Sequence, residues 1–134
     1  MKFVLGINAS NLSSGGGFTH LLEFVSSKNE IIKSNIKIVV WASEYTLSKL
    51  PNYKFLIKKS HFLLNQGSLS SLFWQTFFLT SKCRKENIDV LFSPGGSYSQ
   101  KFSPSVVMSQ NMLPFELDET KKYKISLTTI RILL

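Results

Sequence analysis

The stretch Lys2–Phe24, KFVLGINASNLSSGGGFTHLLEF, decides how this chain folds. Its opening, Lys2–Ile7, is almost continuously apolar and rich in β-formers, the pattern of a strand covered on both faces. Further on, FTHLLEFVSSK sets Phe18, Leu21, Leu22 and Val25 along one side at helical spacing. Between strand and helix stand Gly15, Gly16 and Gly17, three of the chain's seven glycines. Glycine loses the most backbone freedom on folding, so a run of three marks a place where a Cβ would be in the way. A glycine loop after a parallel strand and before a helix leaves the first helical N–H groups facing the crevice at the carboxyl edge of the sheet. Ligands of doubly wound sheets bind in that crevice. Asn8, Asn11, Ser13 and Ser14 offer hydrogen bonds beside it. The competing reading is a tight turn that faces no ligand.

Outward from this unit, strand-like and helical runs alternate. Strands are predicted at IKIVVWA (Ile36–Ala42), YKFLIKK (Tyr53–Lys59), DVLFS (Asp89–Ser93) and SVVMSQ (Ser105–Gln110). SEYTLSKL can supply a short helix between the second and third strands. SLSSLFWQTFFLTSKCRKEN is the longest helix, with Ser68 placed as its N-cap and basic residues in its last turn to suit the dipole. The alternation predicts an α/β fold: one Rossmann-like domain over residues 1–134, its mostly parallel sheet held between helix layers. There is no internal repeat, low-complexity tract or linker. The last segment, KISLTTIRILL, is apolar at helical spacing without a polar stop, and reads as the interior of a longer protein.

Two familiar glycine signatures are missing. The spacing G-x-G-x-x-G does not occur, and no acidic residue ends IKIVVWA to hold a ribose. No Gly-Lys-Ser/Thr follows the glycines, so they form no Walker A loop. His20, three residues past the run, could reach a bound hydroxyl or phosphate, and its ordinary pKa suits acid–base work; a surface histidine is the alternative. Pro94, Gly95 and Gly96 close DVLFS with a turn at the same sheet edge, where Ser97 and Tyr98 could donate to a sugar or phosphate. Plain turn chemistry competes with that reading. In SQNMLPFE, Ser109, Gln110 and Asn111 form a polar cluster at a strand's end, and amides bond hydroxyls in several directions at once. Glu116 and Asp118 read as acids at a helix start. His61 is read as structural.

Composition narrows the class. With 43% hydrophobic and 18% charged residues, the 134-residue chain carries enough apolar side chains for one core. The single cysteine, Cys83, rules out an internal disulfide and reads as a half-buried thiol. No Cys/His spacing points to zinc. The apolar run at the start is too short for a signal peptide, and LFWQTFFL is far from the roughly 20 residues of a membrane span. The expectation is a soluble, cytoplasmic protein. A net charge of +8 favours anionic partners. Scattered lysines argue against nucleic acid.

The three loops together resemble the amino-terminal domain of a GT-B glycosyltransferase of the large retaining group called family 4. The resemblance rests on the opening strand with SSGGGFTHLLEF, on IDVLFSPGG and on PSVVMSQNMLPFE. It implies an acceptor-side domain of an enzyme that transfers a hexose-like unit from a nucleotide-diphosphate sugar to an acceptor hydroxyl, in glycan, lipopolysaccharide or capsule synthesis. It further implies acceptor contacts from Gly15–Gly17, His20, Pro94–Gly96 and Gln110–Asn111, with no tightly bound cofactor or metal. The partners implied are a sugar or lipid-linked acceptor and a donor-binding domain that this chain lacks, no E-x7-E pattern being present. An anionic membrane surface is a further partner that the charge suits, placing the protein at the inner face of the membrane. Many relatives carry a His-Asp pair where Gln110 and Asn111 stand, and an amide cannot serve as a general base. Alternatives are a free-standing Rossmann-like module that binds carbohydrate or phosphate without catalysis, and a basic nucleic-acid-binding or regulatory protein.

Overall fold

Five parallel strands run in the order β3-β2-β1-β4-β5: β1 Phe3–Asn8, β2 Ile36–Trp41, β3 Leu56–Lys59, β4 Val90–Ser93 and β5 Ser105–Val107. A computed structural model describes residues 2–95 and 101–108. The helices are α1 (Gly16–Ser26), α2 (Lys28–Lys33) and α3 (Glu44–Ser48), then α4 (Ser68–Trp74) and α5 (Thr80–Lys85) joined by a π-helical turn, Gln75–Leu79. A 3₁₀ turn, Phe62–Asn65, precedes α4. The α/β class and the two helix layers are therefore as the sequence implies, and every strand pairing is parallel. No described helix is long and apolar enough to cross a membrane.

Strand alternation divides the core between two sides. Ile38 and Val40 of β2, with Ala42 just beyond it, join one buried cluster with Leu21, Val25, Ile31 and Leu47 from α1–α3. Val39 and Trp41 join the other, with Trp74, Leu79 and Cys83 from α4–α5. Period-two alternation on both faces is why β2 reads as an unbroken apolar run. Gly6 in β1 belongs to the tighter side. A Cβ there would lie 2.9 Å from Ile88 Cγ2 and 3.2 Å from Trp41 Cζ3. Cys83 is fully buried rather than half-buried, and burial pushes its thiol up to about 12.

Element ends follow local chemistry. Helices α1 and α4 both start from a glycine with positive φ, Gly15 at 80° and Gly67 at 108°, each in an extended region that essentially only glycine occupies. Ser68 is thus the first helical residue and not the cap. Ser43 caps α3 by accepting the Thr46 N–H at 3.3 Å. Helices α2 and α5 each stop two residues before an asparagine with φ 52°, Asn35 and Asn87, and asparagine tolerates that left-handed turn. The third strand is shorter than Tyr53–Lys59 because a turn, Leu56 N–H to the Tyr53 carbonyl at 3.1 Å, occupies its first half. The composition of KNEIIK hid α2, whose one buried residue is Ile31.

The π turn has a reason in the pattern of burial. Ser71, Gln75, Leu79 and Cys83 are all buried, at intervals of four. At about 100° per residue, such a stripe winds by about 40° at each step of a straight α-helix. A wider turn in the middle takes up part of that drift and keeps the stripe against the sheet.

Candidate functional site

The chain passes from β1 outward to β2 and β3, then crosses back to lay β4 on the other side of β1. The reversal makes the gap between the carboxyl ends of β1 and β4 the topological switch point, where open α/β sheets bind their ligands. The loop after β1 carries the three glycines, and the turn after β4 carries Pro94 and Gly95.

Leu12 joins the two loops. A Cβ on Gly17 would sit 2.8 Å from Leu12 Cδ2 and 3.4 Å from the Pro94 carbonyl oxygen; one on Gly95 would sit 3.2 Å from the same Leu12 methyl. Gly17 is therefore glycine because α1 starts hard against its own scaffold. Gly15 has open space around its missing Cβ and is set by its backbone angle instead. Gly16 is exposed. The run thus meets two separate demands, close packing and positive φ, and leaves the first turn of α1 bare. Among the described residues no side chain caps that turn, and no acid lies in it. Its leading N–H groups remain donors, at the positive end of the helix dipole.

Beneath the loop lies a polar network. Asn8, the last residue of β1, points to the α4–α5 side, where its Nδ2 donates to Gln75 Oε1 at 3.0 Å. Gln75 Nε2 in turn donates to Asn11 Oδ1 at 2.9 Å. Ser10 Oγ has two acceptors within reach, Asn8 Oδ1 at 2.7 Å and Asn11 Oδ1 at 2.9 Å, and its single proton serves one at a time. The Ser10 N–H also donates to Asn8 Oδ1, at 3.3 Å, an Asx-type turn that folds the chain back at the strand's end. On the opposite side of the sheet, the Thr46 hydroxyl of α3 donates to the Leu12 carbonyl. Asn8, Ser10 and Gln75 are each less than a tenth exposed. Amides held this firmly fix the position of the glycine loop above them.

Of the residues singled out from sequence, Gly15–Gly17, Pro94 and Gly95 come together here. His20 is exposed in the second turn of α1. Gly96, Gln110 and Asn111 lie outside the described residues, as do Ser97, Tyr98, Ser109, Glu116, Asp118 and the KISLTTIRILL segment. His61 caps the 3₁₀ turn: its Nδ1 accepts the Leu63 N–H at 3.3 Å. Sequence reading passed over Gln75, Ser10 and Leu12. The available signal for Gln75 was a lone amide inside the apolar run LFWQTFFL, on the stripe that faces the sheet.

The fold is that of a doubly wound α/β protein whose glycine loop and Pro94–Gly95 turn meet at the switch point. No protein-family model, curated protein or solved structure matches the chain.

Proposed function

We infer that this chain is the acceptor-side domain of a GT-B type glycosyltransferase. The carrying observation is the bare first turn of α1, held at the switch point between the loops of β1 and β4. Transfer of a sugar from a nucleotide diphosphate builds negative charge on the leaving diphosphate, and helix N–H groups aimed at it lower that cost. Here Gly16, Gly17 and Phe18 would supply the donors. Pro94 and Gly95 would border the acceptor, and His20 would lie at its edge. Gly96, Gln110 and Asn111 complete the proposed set from sequence. The donor would be a nucleotide-diphosphate sugar, and the acceptor a sugar or lipid-linked hydroxyl on the cytoplasmic side. The resemblance in SSGGGFTHLLEF, IDVLFSPGG and PSVVMSQNMLPFE supports this reading.

Titration of the ¹⁵N-labelled chain with UDP and with pyrophosphate tests it. The largest amide shifts are expected at Gly16, Gly17, Phe18 and Gly95. Shifts confined to other surfaces, or none at millimolar ligand, would remove the diphosphate role. A non-catalytic binding module shares the same bare helix start. It is separated by turnover once a donor-binding domain is supplied: paired with one, a transferase half releases nucleotide diphosphate from nucleotide sugars in the presence of a lipid extract, and such a module does not.

A further inference from the structure

The helical segment that anchors the site from below is apolar on its outer side as well. Gln75 faces inward to Asn8 and Asn11, while Phe73, Phe77 and Phe78 of the same segment are 51%, 65% and 38% exposed. Phe62, on the preceding 3₁₀ turn, is 63% exposed, and Leu69, one turn before Phe73, is 75% exposed. Their rings form one chain by centroid distance: Phe62–His61 4.7 Å, His61–Phe78 5.7 Å, Phe78–Phe73 6.3 Å and Phe73–Phe77 4.6 Å. A run of exposed rings in mutual contact is unlike the scattered single apolar residues of an ordinary surface, and marks an interaction face.

Charge identifies the partner. From His61 to Lys85, the stretch that forms this face, the chain holds three Lys and Arg and no Asp or Glu. Lys82, Arg84 and Lys85 lie in the last turn of the same helical segment. The acid that follows, Glu86, is paired with Lys59. Phenylalanine and leucine on one helix side, with cations beyond them, is the make-up of a helix that lies in the plane of a lipid headgroup layer. A self-associating face would place two such positive regions against each other, since a twofold interface meets its own copy.

We propose that the outer side of the Ser68–Lys85 segment, with Phe62, docks this protein on an anionic lipid bilayer. The rings enter the headgroup–acyl boundary and the cations meet lipid phosphates. The same helix then carries the polar network under the glycine loop, so docking brings the switch-point crevice within about a helix diameter of the lipid surface. This docking does not depend on sugar transfer.

Flotation of the full chain with vesicles of phosphatidylcholine, with and without about one third phosphatidylglycerol, tests it. Binding is expected only with the anionic lipid, and is expected to weaken as salt rises. Phe73→Ser with Phe77→Ser should lower the partition more than about tenfold. Arg84→Gln with Lys85→Gln should lower it about fivefold per cation. Far-UV circular dichroism confirms that each variant is folded. Three results overturn the proposal: no flotation of the unaltered chain, unchanged flotation of folded serine variants, or salt-sensitive binding to poly(U) without binding to vesicles. Concentration-dependent dimers abolished by the serine pair, with no vesicle binding, would assign the face to a second copy instead.

Discussion

The two sides of the sheet solve the same problem differently. On one, α1, α2 and α3 bury Leu21, Val25, Ile31 and Leu47 against β1 and β2, together with Thr46, whose hydroxyl donates to the Leu12 carbonyl. On the other, one long helical segment buries Trp74, Leu79 and Cys83 but also inserts Gln75, and turns three phenylalanines outward. The first side is explained by packing and by the Thr46 hydroxyl that holds the Leu12 carbonyl. The second carries two features that packing does not require, a buried amide bridge and an exposed aromatic face, and both sit at or beside the π turn. Such turns are frequent where a helix has a task beyond covering a core.

The sharpest way to break this contrast is to truncate neighbours on that helix. Trp74→Ala removes a fully buried indole and should cost about 3–5 kcal/mol in urea unfolding. Phe77→Ser should stay within about 0.5 kcal/mol of the parent, as an exposed change should. Equal losses would mean that Phe77 is covered in the folded chain, and the outward face would cease to be one.

A middle-sized effect is expected at the amide bridge. Gln75→Leu keeps the volume but strands the Asn8 Nδ2 donor, and removes the donor to Asn11. The loss should be about 1–3 kcal/mol. It should bring faster hydrogen exchange at Ser10 and Leu12, because the loop loses its support from below. A stability loss with unchanged exchange there would reduce Gln75 to ordinary core.

The smallest effect concerns the pair Lys59–Glu86, which ties β3 to the end of α5. The Lys59 hydrogen bond holds the Glu86 carboxyl below its usual range, against a smaller opposing effect of burial. A carboxyl lowered by folding stabilises the fold above its ordinary value, and that contribution is lost as pH falls through the lowered one. Both side chains keep access to solvent, at 37% and 19% exposure, so Glu86→Gln should cost about 1 kcal/mol or less at neutral pH and nothing once the carboxyl is protonated. A difference from the parent that persists in strong acid would show the glutamate acting through something other than its charge.

Much of the architecture could be read from particular residues. Alternating strand and helix runs marked four of the five strands to within a residue or so of their starts, and only YKFLIKK began late, where a turn takes Tyr53–Phe55. The loops of the candidate site were legible for the same reason, since glycine and proline announce strand ends. Helix α2 was not, because KNEIIK offers too short a pattern for periodicity to register. Cys83 reads as half-buried from the habits of a lone cysteine, yet its position is on the inward stripe and it is fully buried.

By itself the sequence determined the layered α/β plan, the strand-to-loop-to-helix unit at the start, and the excess of positive charge. These depend on local periodicity and composition, which each segment carries wherever it ends up. Only the tertiary structure decided that β4 returns beside β1, that Leu12 brings the glycine loop against Pro94 and Gly95, and that Gln75 reaches across 64 residues to Asn11. It alone separated the inward Trp74 from the outward Phe73 and Phe77. Those relations depend on which surfaces meet, and a run such as LFWQTFFL is apolar on every side until a sheet covers one of them.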